Sequence, residues 1–293
     1  MPVLDRIYDG RFRHRHVLMP FASEPGQQVS RIYELGRNFS GHIAQGAGNF
    51  IDQRFSHYVF AGDDLLLNPR LDETNLIGAL GLESGEGYIK NLIAVDALRG
   101  RWIWAGEAAA KFRRNVKAVN LDSLLPPADV AKAKFEAMGL TFPTRPAIQW
   151  TDPLRFARQS GWAALEGLTM RRKPADYPLL AGYSDLVVVP ASAIKQFVHY
   201  CGVFAALDIF AEVAVPTALA LACDGVRTGL PLNRHFTDTD ASSPPSGIEL
   251  WEPEDFARHE CFLSLPLNEL LAQFPEDWLY LHPVKLSRYI REG

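Results

Sequence analysis

The chain has 293 residues, 47% of them hydrophobic and 22% charged, with a formal net charge of -4. That suffices for one large domain or two small ones with an ordinary core. It excludes a general basic field for nucleic acid. Cys201, Cys223 and Cys261 are widely spaced, with no CxxC pair. Reduced thiols in a cytoplasmic protein are expected, with neither a zinc site nor a disulfide framework. The N-terminus lacks the apolar core of a signal peptide. The longest apolar stretch, Val203 to Cys223, is interrupted by Asp208, Glu212 and Pro216, so it reads as a core helix and not a transmembrane span.

Arg11, Arg13, His14, Arg15 and His16 make a local basic cluster, read as solvated or phosphate-facing. His16 to Phe21 predicts the first strand, and Ser23, Pro25 and Gly26 a loop. From Val29 a helical pattern runs to about Phe55, with Ile32, Leu35 and Phe39 on one buried face. The start of that helix offers free amides to a phosphate, but neither GxGxxG nor GxxxxGK[ST] is present. His57 to Pro69, HYVFAGDDLLLNP, predicts a buried strand, a break at Gly62, an acidic turn at Asp63-Asp64 and a second apolar run. Two adjacent carboxylates are costly to bury unpaired. They are expected at the strand's end, either as exposed turn residues or neutralised by a cation.

Gly81 to Tyr88 reads as a loop, and Ile89 to Val95 leaves strand and helix open. Trp102 and Trp104 precede a short helix over Glu107 to Phe112; the pair reads as core or interface, or as a sugar-stacking platform. Pro126-Pro127-Ala128-Asp129 predicts a helix start within a linker or lid-like segment, Asn120 to Pro146. Arg171-Arg172-Lys173 reads as a solvated face in preference to an anion patch. Ala181 to Pro190 predicts a second strand, central in its sheet because Leu186 to Val189 are all aliphatic. Ala191 to Cys223 is helical, with breaks expected at Gly202 and Pro216. Asp238 to Gly247 is a polar loop, and Leu279 to Leu281 a last short strand before His282-Pro283-Val284-Lys285. No internal repeat is present.

Glu212 falls in an otherwise apolar helix. A buried Glu needs a partner or a raised pKa, so it is either a core carboxylate or a general base. Asp185, at a strand start, is a turn residue or a second candidate for the site. Asp208, one turn before Glu212, either shares its site or faces solvent. GxSxG and HExxH are absent, and Cys201 sits on an apolar stripe as a structural thiol.

Gly62-Asp63-Asp64 between two apolar runs resembles the metal-binding DxD region of GT-A glycosyltransferases, without a strict Asp-x-Asp. His282-Pro283-Val284-Lys285 after an apolar strand is similar to the C-terminal segment of many such enzymes. The resemblance implies an α/β fold with a mixed, mostly parallel central sheet flanked by helices. One domain would hold a nucleotide and metal half, about 1–120, and an acceptor half, about 175–293. It implies Asp63, Asp64 and His282 as ligands of Mn²⁺ or Mg²⁺. Lys285, Pro20 and Ser23 would bind substrate, and Glu212 or Asp185 would be the catalytic base. Sugar would pass from a nucleotide-sugar donor to a glycan or other hydroxyl acceptor. The alternatives are a nucleotidyltransferase-like enzyme and a non-catalytic α/β binding protein. The first would normally carry a basic loop after the first strand, which MPFASEPGQQ lacks.

Overall fold

The computed structural model describes residues 2–144, 176–229 and 265–289, apart from 25, 27, 99–101, 119, 122, 277, 285, 287 and 288. The Arg171-Arg172-Lys173 run, the Asp238–Gly247 loop, Cys261 and Lys285 lie outside the described residues. The chain is mixed α/β. In order the elements are α1 (Pro2–Tyr8), β1 (Val17–Pro20), β2 (Val29–Ile32), α2 (Phe39–Phe50), β3 (His57–Ala61) and β4 (Leu66–Leu67). Then come α3 (Leu76–Ala79), β5 (Glu86–Ile89), β6 (Ile93–Ala94), α4 (Val95–Leu98), α5 (Ile103–Asn115), α6 (Ala128–Ala137) and β7 (Leu180–Ala181). The remainder are β8 (Leu186–Pro190), α7 (Ile194–Ala206), α8 (Ala211–Ala222), β9 (Gly225–Arg227), α9 (Leu267–Ala272) and β10 (Tyr280–Leu281).

The largest described sheet has the order β3-β8-β5-β9. Both β3 and β5 run antiparallel to β8, and only β9 runs parallel to its neighbour β5. The expectation of a mostly parallel sheet is therefore corrected. The all-aliphatic run Leu186 to Val189 does mark a strand covered on both faces, and every residue of β8 is buried. Parallel pairing was implied by the resemblance alone, and burial fixes the composition of a strand and not its direction.

The two-residue alternation of the strands separates two cores. Tyr58, Phe60, Ile89, Val187 and Val189 face the large core shared with α2, α7 and α8. Tyr88, Leu186 and Val188 face the other way, onto Leu65, Leu67, Leu71, Leu76, Leu80, Leu279 and Tyr280. Each fully buried valine of β8 contributes about 1.5–3 kcal/mol relative to exposure. A third cluster joins Val3 and Ile7 of α1 to Leu267, Leu270, Trp278, Leu281 and Val284. It fastens the C-terminal segment to the N-terminal helix.

Three local expectations are corrected. Val29–Ile32 is a strand parallel to β1, in a two-stranded sheet of its own. Ile32 is buried and Leu35 is 52% exposed, so they share no helical face. The helical stretch after β8 breaks between Leu207 and Phe210 and not at Gly202, which lies inside α7. Asp208 makes that break with φ +55, and the Asn115 amide caps the Leu207 carbonyl at 2.8 Å. Pro216 lies inside an unbroken α8. Its missing N–H leaves the Glu212 carbonyl without a helical donor, and the Gly182 amide fills the vacancy at 3.0 Å. No described helix is long and apolar enough to cross a membrane.

Candidate functional site

Because β3 and β5 run against β8, the chain leaves both of them at the end where it enters β8. Asp64 follows β3, Lys90 follows β5 and Asp185 precedes β8. The Gly62 amide donates to the Asp185 carbonyl at 2.8 Å, extending the β3–β8 ladder by one bond. Gly62 then opens a turn closed by Leu65 N–H onto its carbonyl at 3.3 Å. This turn leaves Asp63 exposed and carries the Asp64 carboxylate inward.

His282 reaches the same place from the other end of the chain. Strand β10 pairs antiparallel with β4, Tyr280 opposite Leu67 and Leu281 opposite Leu66. The Val284 amide donates to the Asp64 carbonyl at 2.5 Å. Asn68 adds a staple that sequence reasoning missed: its amide donates to the Trp278 carbonyl at 2.7 Å. Arg11, read as part of a basic cluster, instead donates to the carbonyls of Leu71 (2.9 Å) and Asn68 (2.5 Å) from beside α1.

The result is a compact cluster. His282 Nε2 lies 3.4 Å from Asp64 Oδ1 and 3.3 Å from Asp185 Oδ1. One ligand atom from each of the three residues lies within 4.8 Å of the others. Their side chains are 12%, 24% and 23% exposed for His282, Asp64 and Asp185, which leaves them partly desolvated yet reachable from solvent.

The electrostatics follow from this packing. Burial alone would lower the His282 pKa, but the hydrogen bond to Asp64 and the charges of Asp185 and Asp64 outweigh it and leave it raised. Burial raises the Asp185 carboxyl; His282 opposes the shift, and the neighbouring Asp64 charge adds to it. Burial pushes the Glu212 carboxyl up to about 7, with the Asp185 charge adding and His282 subtracting. Glu212 is thus within electrostatic reach of the cluster and stays largely protonated into the neutral range. Two carboxylates this close to each other are unfavourable without a cation between them. A protonated His282 or a bound metal ion meets that need.

Of the residues singled out in the sequence, Asp64 and His282 meet directly, and Asp185 joins them as a third possible ligand. Asp63 is not part of the cluster. Pro20 and Ser23 are both exposed; the Ser23 and Ala22 carbonyls accept from the Arg31 guanidinium. Beside them an open depression is lined by His16, Ser30, Arg31, Tyr33 and Asn49. Neither Pro20 nor Ser23 is among the groups that meet at the cluster. Asp208 points to solvent and pairs with Lys111 at 2.7 Å. Trp104 stacks on Phe210 at 4.8 Å between centroids, and Trp102 meets the same ring at 6.1 Å. Burial raises both described thiols, well above the ordinary value at Cys201 and up to about 12 at Cys223, which suits structural cysteines.

Comparison with protein-family models, with curated proteins and with solved structures finds no match to this chain.

Proposed function

We propose that the chain is a divalent-metal-dependent glycosyltransferase, moving a sugar from a nucleoside diphosphate donor to a hydroxyl acceptor. The observation that carries this reading is the convergence of Asp64, Asp185 and His282 beside a Glu212 carboxyl pushed up to about 7. Two carboxylates and one imidazole fit Mn²⁺ or Mg²⁺ and leave coordination positions for phosphate oxygens. When bound, such an ion supplies electrostatic stabilisation of the charge that develops on a departing diphosphate.

The chain's own residues do the rest. Asp64 and Asp185 supply negative charge, and His282 serves as a ligand in its neutral form. Glu212 accepts the acceptor's hydroxyl proton, a role suited to a carboxyl that titrates near the working pH. Asp185 belongs with the metal-holding groups, which leaves Glu212 as the base. The reading rests on the site and not on sheet topology, since one chemistry recurs on unrelated folds.

The test is incubation with a panel of nucleoside diphosphate sugars, with and without Mn²⁺. Metal-dependent release of nucleoside diphosphate, faster with a hydroxyl acceptor, is the expected result. No release, with no rise in melting temperature for any nucleotide, would favour a non-catalytic binding protein.

A further inference from the structure

We infer that the depression along the outer edge of β2 is a sugar-binding site, which takes a neutral pyranose ring against Tyr33 without a metal ion. The depression has a volume of about 490 Å³, in the range of small-ligand sites. Strand register decides which main-chain groups meet it. Val17 N–H donates to the Gln28 carbonyl at 2.7 Å and Phe21 N–H to the Ile32 carbonyl at 2.9 Å, so Ser30 and Ile32 turn their main-chain groups to β1. Val29, Arg31 and Tyr33 turn theirs outward. Val29 exchanges two bonds with Gly26 at 3.1 Å, and Tyr33 N–H donates to Gln45 Oε1 at 2.9 Å. Between these closures stands Arg31, with its N–H and C=O on an edge that no described strand covers.

The side chains add a second donor and acceptor. Asn49 Nδ2 donates to Ser30 Oγ at 2.6 Å, and the same oxygen lies 2.7 Å from His16 Nε2. Ser30 is 4% exposed, and its one hydrogen has Nε2 as its acceptor among the described residues. Burial lowers the His16 pKa, so the ring is neutral at pH 7 with its proton on Nδ1. His16 Nδ1–H and Asn49 Oδ1 are thus held by one buried hydroxyl, and neither has a partner among the described residues. Arg31 carries the only full charge in the lining, and its guanidinium is committed to the Ala22 and Ser23 carbonyls. What remains is a neutral set of donors and acceptors beside an exposed ring. Tyr33 is 65% exposed, and Phe21 braces it edge-on at 6.4 Å between centroids. A sugar suits both parts: each hydroxyl donates and accepts, and a C–H face meets the negative face of an aromatic ring. A phosphate or carboxylate has no hydrogen for the Arg31 carbonyl or Asn49 Oδ1.

The experiment is a saturation-transfer NMR titration in EDTA and again with Mn²⁺. The probes are the methyl glycosides of glucose, galactose, mannose and N-acetylglucosamine, with adenosine and uridine alongside. Wild type, Tyr33→Ala, Tyr33→Phe and Asn49→Leu are compared, each checked for folding by circular dichroism. At least one glycoside should bind the wild type equally with and without Mn²⁺. Tyr33→Ala should bind it about tenfold more weakly, the scale of losing one aromatic face. Tyr33→Phe should stay close to the wild type, and Asn49→Leu should fall several-fold. No glycoside bound by the folded wild type, nucleosides bound in place of glycosides, or unchanged affinity in Tyr33→Ala would overturn the site. A glycoside that binds only with Mn²⁺ would overturn it too, by placing the sugar at the metal centre. The metal-free arms read this depression alone, so their failure leaves sugar transfer at the metal centre to its own test.

Discussion

The Gly182 amide donates to the Glu212 carbonyl at 3.0 Å, in the place where Pro216 has no N–H to give. This bond ties the first turn of α8 to the segment that enters β8 through Asp185. Thr217 reinforces it: its hydroxyl accepts from the Leu180 amide at 2.9 Å and donates within the buried helix–strand contact. A helix interior containing proline thereby becomes an anchored support for Glu212.

Gly182 has no room for a side chain, because a Cβ there would overlap the Asn91 carbonyl oxygen. Gly182→Ala should therefore destabilise the fold by about 1–3 kcal/mol, the range for overpacking. Equilibrium denaturation measures this. An unchanged midpoint would show that the segment relaxes freely and does not hold Glu212 in position.

Gly62 gives a milder test. A Cβ there would stand 3.2 Å from Asp64 Oδ1, so the carboxylate must shift. Gly62→Ala should weaken Mn²⁺ binding several-fold while changing stability by no more than about 1 kcal/mol. Binding calorimetry and denaturation on one preparation separate the two effects. Wild-type Mn²⁺ affinity in this variant would argue that Asp64 is not a ligand.

Strands β3, β8 and β10 were legible in the sequence, whereas β5 was not, since Glu86–Ile89 forms a strand where Gly81 to Tyr88 read as a loop, and no strand's direction was legible. His57–Ala61, the acidic turn and the aliphatic run ending at Pro190 fall where composition places them. Burial on both faces of β8 was also readable. Antiparallel pairing was not, because hydrophobic runs carry no sign of direction. Asp185 read ambiguously because its partnership with Asp64 depends on that direction. Gly202 and Pro216 looked like helix breakers by local propensity. Tertiary contacts overrode both, while the actual break at Asp208 had no such signal.

Protons and metal should compete at the centre. His282 has a raised pKa, so its contribution to stability without metal is complete below its ordinary value of 6.5 and is lost as pH rises through the raised value. Glu212 acts in the same direction: with its pKa up from 4.5 to about 7, metal-free stability falls as pH rises across that interval. Metal binding displaces the proton from His282, so Mn²⁺ affinity should rise with pH through the same range. Melting temperatures across pH, with and without Mn²⁺, should diverge toward alkaline pH. A Mn²⁺ shift that shrinks as pH rises would contradict the assignment of His282 as a ligand.

Glu212→Gln separates catalysis from stability. Donor binding should survive while transfer falls by roughly 10²–10⁴-fold, the usual contribution of a general base. The variant lacks an ionisable carboxyl, so without metal it should gain stability over the wild type as pH rises above about 5. Transfer by the wild type should increase through the pKa of about 7, and the variant should lose that limb. Full turnover in folded Glu212→Gln would remove Glu212 from the chemistry.

The most direct measurement is Mn²⁺ titration of the wild type beside Asp63→Asn, Asp64→Asn, Asp185→Asn and His282→Gln, each checked for folding by circular dichroism. The cluster geometry predicts one Mn²⁺ site in the wild type and in Asp63→Asn, with binding lost or weakened at least about tenfold in each of the other three. Failure of the folded wild type to bind, or loss in Asp63→Asn with retention in Asp185→Asn, would contradict a metal centre built from Asp64, Asp185 and His282.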